Sequence, residues 1–104
     1  VIERIGQISN GWIVLCGPNE IEEIRAKIAT EAINAGRAAG EIGEEAGVAV
    51  VGEREHEWKN RVKEWKKIGL SHLCLRTLGG GLKTSQHVKK LEEVMKELPE
   101  TLAL

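Results

Sequence analysis

The sequence lacks the features that mark a membrane protein, a disulfide scaffold or a nucleic-acid-binding protein. It has no Phe or Tyr, and only two Cys and two Pro among 104 residues. Its longest unbroken apolar run, residues 12–16, is far shorter than the about 20 residues that a membrane helix needs. The formal net charge of −1 gives no broad attraction to nucleic acid or to an anionic membrane. We therefore expect neither as a partner.

The cysteines of the chain suggest its cellular compartment, and its first residue suggests how the chain is produced. Cys16 and Cys74 are far apart in the sequence, and each lies in an apolar run. This pattern is typical of buried, reduced thiols and predicts a cytoplasmic protein. The first residue is Val1 and no signal pattern follows it. The chain is thus expected to begin partway through a larger product, although processing or trimmed numbering would leave the same start.

Hydrophobic periodicity predicts one helix followed by three strand–helix units within a single segment, 1–104. The strands are apolar on both faces and alternate with helices, which indicates an α/β fold with a parallel sheet covered by helices. The predicted helices span residues 2–8, 19–35, 54–68 and 85–98, and the predicted strands span residues 12–16, 46–52 and 71–77.

A sheet of three parallel strands has two unpaired edges, which attract further strands. Missing sequence of the same protein would supply such strands, and so would a partner chain, most simply a second copy. The sequence leaves both alternatives open. An isolated monomer is the least favourable state.

Five stretches, in order along nearly the whole chain, resemble motifs of one enzyme family. They are RIGQISNGWI (4–13), GPNE (17–20), AGR (35–37), WKKIGLSHL (65–73) and RTLGGGL (76–82). The first is similar to an R-x-x-x-x-x-D-G-W turn, the second to a G-P-D-E helix opening and the third to an A-G-R helix exit. The last two are similar to the passage from the final helix to the final strand and to the end of that strand. All five resemble the luciferase-like monooxygenases.

This resemblance implies the last three strand–helix units of a TIM barrel, incomplete as a barrel. It also implies an oxidoreductase that uses FMN or a deazaflavin as cofactor. One position departs from the family pattern, because Asn10 stands where the turn usually carries an acid. Asn keeps the turn geometry and loses the charge, so the resemblance assigns no role to an acid there.

The third predicted strand carries the best-placed candidate for ligand binding. Alternation puts His72, Cys74 and Arg76 on one side of the strand. Arg76 then lies at the carboxyl end of the strand, where TIM barrels build their active sites. A guanidinium there can hold a phosphate or carboxylate through two hydrogen bonds. The alternative is a salt bridge at the end of the sheet.

The glycines Gly79, Gly80 and Gly81 follow that strand and precede the last helix. Small residues let backbone N–H groups approach an anion, and a helix N-terminus favours negative charge. The loop is therefore a candidate binding site for a phosphate-bearing small molecule. The alternative is a plain turn in which Thr84 or Ser85 caps the helix.

The tryptophans allow both functional and structural interpretations. Trp12 would line the cofactor or substrate pocket of a complete barrel, but a core role is the commoner outcome for such a residue. Trp58 and Trp65 lie seven residues apart and read as packing residues of one helix face.

The sequence offers no set of side chains for metal or nucleophilic chemistry. Its three histidines, His56, His72 and His87, show no metal-binding spacing, so we expect no metal site. No catalytic base or nucleophile emerges from the residues, and the catalytic residues stay unassigned. Two hypotheses result. The chain is either a fragment or short member of the luciferase-like oxidoreductases that forms one wall of a cofactor or substrate pocket, or a non-catalytic, self-associating α/β module.

Overall fold

The computed structural model describes residues 1–103; the predicted segment 1–104 ends on Leu104, which lies outside them. The chain folds as one helix and three strand–helix units, as predicted. The elements are α1 (Ile2–Ile8), β1 (Gly11–Val14), α2 (Ile21–Asn34), β2 (Gly43–Ala49), α3 (Trp58–Ile68), β3 (His72–Arg76) and α4 (His87–Leu102).

The three strands form one parallel sheet in the order β1-β2-β3, which confirms the predicted α/β class. β1 and β2 start in register, with Gly11 opposite Gly43 and Val14 opposite Ala46. Over residues 1–103 the sheet does not close into a barrel. No helix in this part of the chain has the length and apolarity required to cross a bilayer.

Several element boundaries differ from the predicted spans by a few residues, and two of the differences are instructive. β2 begins at Gly43, three residues before the predicted start at residue 46, because the charged Glu44 is part of the strand. α4 runs through Pro99 to Leu102, although Pro99 was expected to end it. Pro99 stands in the last turns of the helix, and the hydroxyl of Thr101 there donates a hydrogen bond to the Glu97 carbonyl at 3.1 Å. Pro99 removes one backbone N–H, which would have donated to the Met95 carbonyl, and the helix continues past it.

The chain divides into two compact units. Unit 1 consists of Val1–Ala46 and Leu70–His72; unit 2 consists of Gly47–Gly69 and the residues from Leu73 onward. Acidic side chains outnumber basic ones in unit 1, and the reverse holds in unit 2.

The helices α1 and α2 pack together in unit 1 at a very close approach. A Cβ atom on Gly6 would lie 2.5 Å from Glu31 Cβ and 2.8 Å from the Ile28 carbonyl oxygen, so only glycine fits there. Arg37, at the predicted exit of α2, donates hydrogen bonds of 2.6 Å to the carbonyls of Gly6 and Ser9. It thereby fixes the end of α1. The apolar core of this region comprises Ile28, Ala32 and Ile42, with Ile2, Ile5, Trp12 and Ile24 packed against it.

An ion pair holds the beginning of β2 in unit 1. Glu44 is only 9% exposed, and both of its carboxylate oxygens accept hydrogen bonds from Arg25, at 2.6 and 2.8 Å. These bonds raise the pKa of Arg25 above its ordinary value. Ser71 Oγ accepts a bond from the Glu44 N–H at 2.7 Å and donates one to its carbonyl at 3.1 Å. A carboxylate can be buried when it is partnered in this way.

The helix α3 in unit 2 buries Trp58, Val62 and Trp65, which confirms the predicted apolar face. It packs beside α4, and Lys59 forms an ion pair with Glu97 at 3.3 Å.

The apolar side chains of α4 differ in their burial. Val94 is buried, whereas Val88 and Met95 are mostly exposed.

Candidate functional site

The carboxyl ends of β2 and β3 meet in unit 2. The Val50 N–H, just beyond β2, donates a hydrogen bond of 3.0 Å to the Arg76 carbonyl at the end of β3. Along β3 in this unit, Cys74 and Arg76 are exposed, and Leu73 and Leu75 are half-buried. The predicted alternation is therefore confirmed. Cys74, however, is not the buried thiol that the sequence led us to expect.

The Arg76 side chain lies across β2, directly over Gly47. A Cβ atom on Gly47 would lie 3.0 Å from Arg76 Nε and 3.2 Å from its Cζ. Only a residue without a side chain leaves room for the guanidinium at this place. The group therefore lies close against the strand backbone.

The guanidinium of Arg76 keeps its donors available. Within residues 1–103, no carboxylate forms an ion pair with it and no side-chain or carbonyl oxygen accepts its hydrogen bonds. The salt bridge that was the alternative interpretation of Arg76 is thus not formed in the described part of the chain. An exposed guanidinium with unused donors can bind a carboxylate or a phosphate through two parallel bonds.

The glycine loop after β3 returns to the end of β2. A Cβ atom on Gly80 would lie 2.6 Å from Val51 Cβ and 3.1 Å from the Gly52 nitrogen, so the backbone at residue 80 is packed closely against the residues that follow β2. Gly79 and Gly81 have positive φ angles of 84° and 75°, a conformation that side chains disfavour. Arg76 and the loop therefore border the same pair of strand ends.

The start of α4 is held by contacts that sequence reasoning missed. His87 Nδ1 lies 2.7 Å from Thr77 Oγ1, which ties the first turn of the helix to the residue after β3. Gln86 Oε1 accepts a hydrogen bond of 2.7 Å from the Lys83 N–H. The expected caps, Thr84 and Ser85, instead belong to a 3-10 turn.

Trp12, the remaining predicted site residue, belongs to unit 1, whereas Arg76 and residues 79–81 belong to unit 2. Its side chain is half-buried and packs against the core formed by Ile28, Ala32 and Ile42. This is the packing position that the sequence favoured for it.

A depression of about 300 Å³ lies in unit 1 where the strands begin. Its polar lining includes Asn10, Glu45 and His72, and His72 Nδ1 lies 3.0 Å from Ser71 Oγ. Within the described residues, no group of three or more acidic, histidine or cysteine side chains is arranged to hold a metal ion.

Gly47 is a candidate functional residue that the sequence prediction did not include. A glycine inside an apolar strand pattern signals a close approach by another group. The run AGVAVVG (46–52) carried that signal, but only the structure identifies the approaching group as Arg76.

Comparison with known proteins adds no assignment, since no family model, no curated protein and no solved structure matches this chain.

Proposed function

We propose that the chain is a fragment or short member of the luciferase-like, flavin- or deazaflavin-dependent oxidoreductases. In this proposal it forms one wall of a cofactor or substrate pocket in a cytoplasmic enzyme. The wall would be completed by further barrel sequence or by partner chains. The motif resemblance over residues 4–82 supports the family, and the strand–helix order agrees with it.

The single observation that carries the proposal is the pose of Arg76. Its guanidinium is exposed at the carboxyl end of a parallel strand, lies over Gly47, and has unused donors. Ligands of α/β sheets and TIM barrels bind at this end of the strands. A phosphate is the part of FMN or of a deazaflavin cofactor that this donor set fits.

Arg76 and residues 79–81 would hold the cofactor's phosphate in this proposal. Arg76 donates two hydrogen bonds to phosphate oxygens, and the glycine loop brings backbone N–H groups close to the anion. Trp12 supports its strand from the core. The bound flavin or deazaflavin supplies the hydride-transfer chemistry, while the protein binds, orients and shields it.

Titration of FMN, followed by its fluorescence, tests this role. Arg76→Ala is expected to weaken FMN binding at least tenfold, because a hydrogen bond to a charged group contributes about 1.5–3 kcal/mol. The thermal unfolding midpoint should stay unchanged, since the side chain is exposed and unpaired. Arg4→Ala, which removes another exposed arginine, is the matched control and should bind FMN like the wild type. Equal FMN affinity in wild type and Arg76→Ala would contradict the proposal.

A second candidate function is a non-catalytic, self-associating module. Exposed apolar side chains support it, namely Ile13 and Leu15 in unit 1 (64% and 92% exposed) and Leu78 in unit 2 (76%). Such residues mark association surfaces when they are contiguous with an unpaired sheet edge.

Analytical ultracentrifugation with and without FMN separates the two functions. An oligomer that retains flavin after desalting supports the oxidoreductase. An oligomer that retains none, in a protein whose Arg76→Ala variant assembles equally well, supports the module.

A further inference from the structure

The glycine at position 47 is unfavourable for the strand that contains it. A glycine inside a strand has no side chain to pack and loses more conformational freedom on folding than any other residue. Its two neighbours in β2, Ala46 and Val48, are 1% and 0% exposed, so the strand itself is a well-packed core element. Something other than strand stability must therefore account for Gly47.

The Arg76 guanidinium occupies the space that a side chain at position 47 would take. The 3.0 Å and 3.2 Å separations from a Cβ atom to Nε and Cζ are shorter than ordinary van der Waals contacts. The contacted atoms belong to the far end of a long, flexible side chain. A methyl group at position 47 would thus displace the guanidinium and leave the backbone in place.

We infer that Gly47 is a positioning residue for Arg76 and sets its guanidinium flat against β2 for bidentate binding of an oxyanion, either a phosphate or a carboxylate. The inference rests on the proposed anion-binding role of Arg76. Bidentate recognition depends on the orientation of the planar guanidinium, so a displaced group keeps its charge but loses the second hydrogen bond.

The other glycines show that this relation is particular to position 47. A Cβ atom on Gly80 would meet Val51 Cβ and the Gly52 backbone, so a substitution there disturbs packing. A Cβ atom on Gly40 would meet nothing within 4 Å, and its φ angle is not positive. Gly40→Ala is therefore the matched control for Gly47→Ala.

A double-mutant cycle tests the inference with two probes, inorganic phosphate and FMN, whose dissociation constants are measured by calorimetry. Gly47→Ala is expected to weaken binding of both about tenfold, which corresponds to the loss of one charge-assisted bond. Gly40→Ala should leave both constants unchanged. In the Arg76→Ala background, Gly47→Ala should have no further effect, because the group that it positions is gone.

The outcomes separate this inference from the proposed function. If Arg76→Ala does not weaken binding of either probe, the proposed anion role fails. If Arg76→Ala weakens binding and Gly47→Ala does not, the positioning role of Gly47 fails while the proposed function stands. An equal effect of Gly47→Ala with and without Arg76 also overturns the positioning role, since it shows a general loss of structure.

A measurement on the wild type keeps the inference testable if Gly47→Ala does not fold. Nitrogen-15 relaxation of the Arg76 Nε–H bond should report restricted motion on the nanosecond timescale, in contrast to Arg4. Equal mobility of the two arginines would overturn the inference.

Discussion

Arg25 and Arg76 each contact a residue of β2, but they use their hydrogen-bond donors differently. In unit 1, Arg25 forms a bidentate ion pair with Glu44 of β2, and the carboxylate is buried. In unit 2, Arg76 lies over Gly47 of β2 and forms no ion pair within residues 1–103.

The difference lies in the residue of β2 that each guanidinium contacts, which is Glu44 for Arg25 and Gly47 for Arg76. A carboxylate uses the donors of Arg25 for the fold, and a glycine leaves the donors of Arg76 unused. Burying a charge requires a partner, whereas an exposed charge at a sheet end is available to a ligand. Arg25 is therefore a structural group, and Arg76 is the one that we assign to binding.

Removing Arg25 should have the largest effect on stability. Arg25→Ala leaves the Glu44 carboxylate buried without its partner, which is expected to cost about 3 kcal/mol of unfolding free energy. Urea unfolding measures this loss. Lys27→Ala, which removes an exposed pair with Glu23, should cost about 0.5 kcal/mol or less. Equal losses in the two variants would show that the Arg25–Glu44 pair is no more important than a surface pair.

A glycine-to-alanine substitution should lower the unfolding free energy more at Gly6 in unit 1 than at Gly47 in unit 2. At Gly6 the new Cβ would meet Glu31 Cβ and the backbone of α2, neither of which can move freely. We expect Gly6→Ala to lower the unfolding free energy by about 2 kcal/mol, as overpacking does. Gly47→Ala should change it by less than about 0.5 kcal/mol, because only a flexible side chain moves aside. A larger loss at Gly47 than at Gly6 would contradict this comparison.

The two cysteines should show a smaller difference, in chemical reactivity. Burial, together with the charge of Glu20, raises the pKa of the Cys16 thiol above its ordinary value in unit 1. Cys74 in unit 2 is exposed. Iodoacetamide at pH 8 should therefore alkylate Cys74 faster than Cys16, since the thiolate is the reactive form and Cys74 is the more accessible thiol. Mass spectrometry of the peptides measures both rates.

The Cys16 rate has a further, pH-dependent signature. Because its pKa is raised, the rate should keep rising as the pH passes the ordinary thiol range. A Cys16 rate equal to that of Cys74 at pH 8 would contradict the burial of this thiol.

The sequence was sufficient for the element order, because hydrophobic periodicity and glycine exits mark each strand and helix. Trp58, Val62 and Trp65 showed the buried face of α3 directly. The start of β2 was missed because Glu44 looks like a loop acid until Arg25 is brought beside it. The two residues are 19 positions apart in the chain, so the local hydrophobic pattern does not predict their pairing.

The candidate site was predictable only in part, because local pattern places a residue on a strand but does not predict its contacts with other strands. Strand alternation correctly grouped Arg76 with Cys74 on one side of β3 and placed it at the carboxyl end of the strand. The contact between the Arg76 guanidinium and Gly47 depends on the register of β2 and β3. The register is set by the whole fold, so neither segment alone predicts this contact.

Titration of FMN against the wild type and Arg76→Ala, with Arg4→Ala beside them, tests the role of Arg76 most directly. We predict that the wild type and Arg4→Ala bind FMN with the same affinity and that Arg76→Ala binds it at least tenfold more weakly at an unchanged unfolding midpoint. Equal affinity in all three proteins would show that Arg76 is not the anion-binding group and would remove the basis for the proposed function.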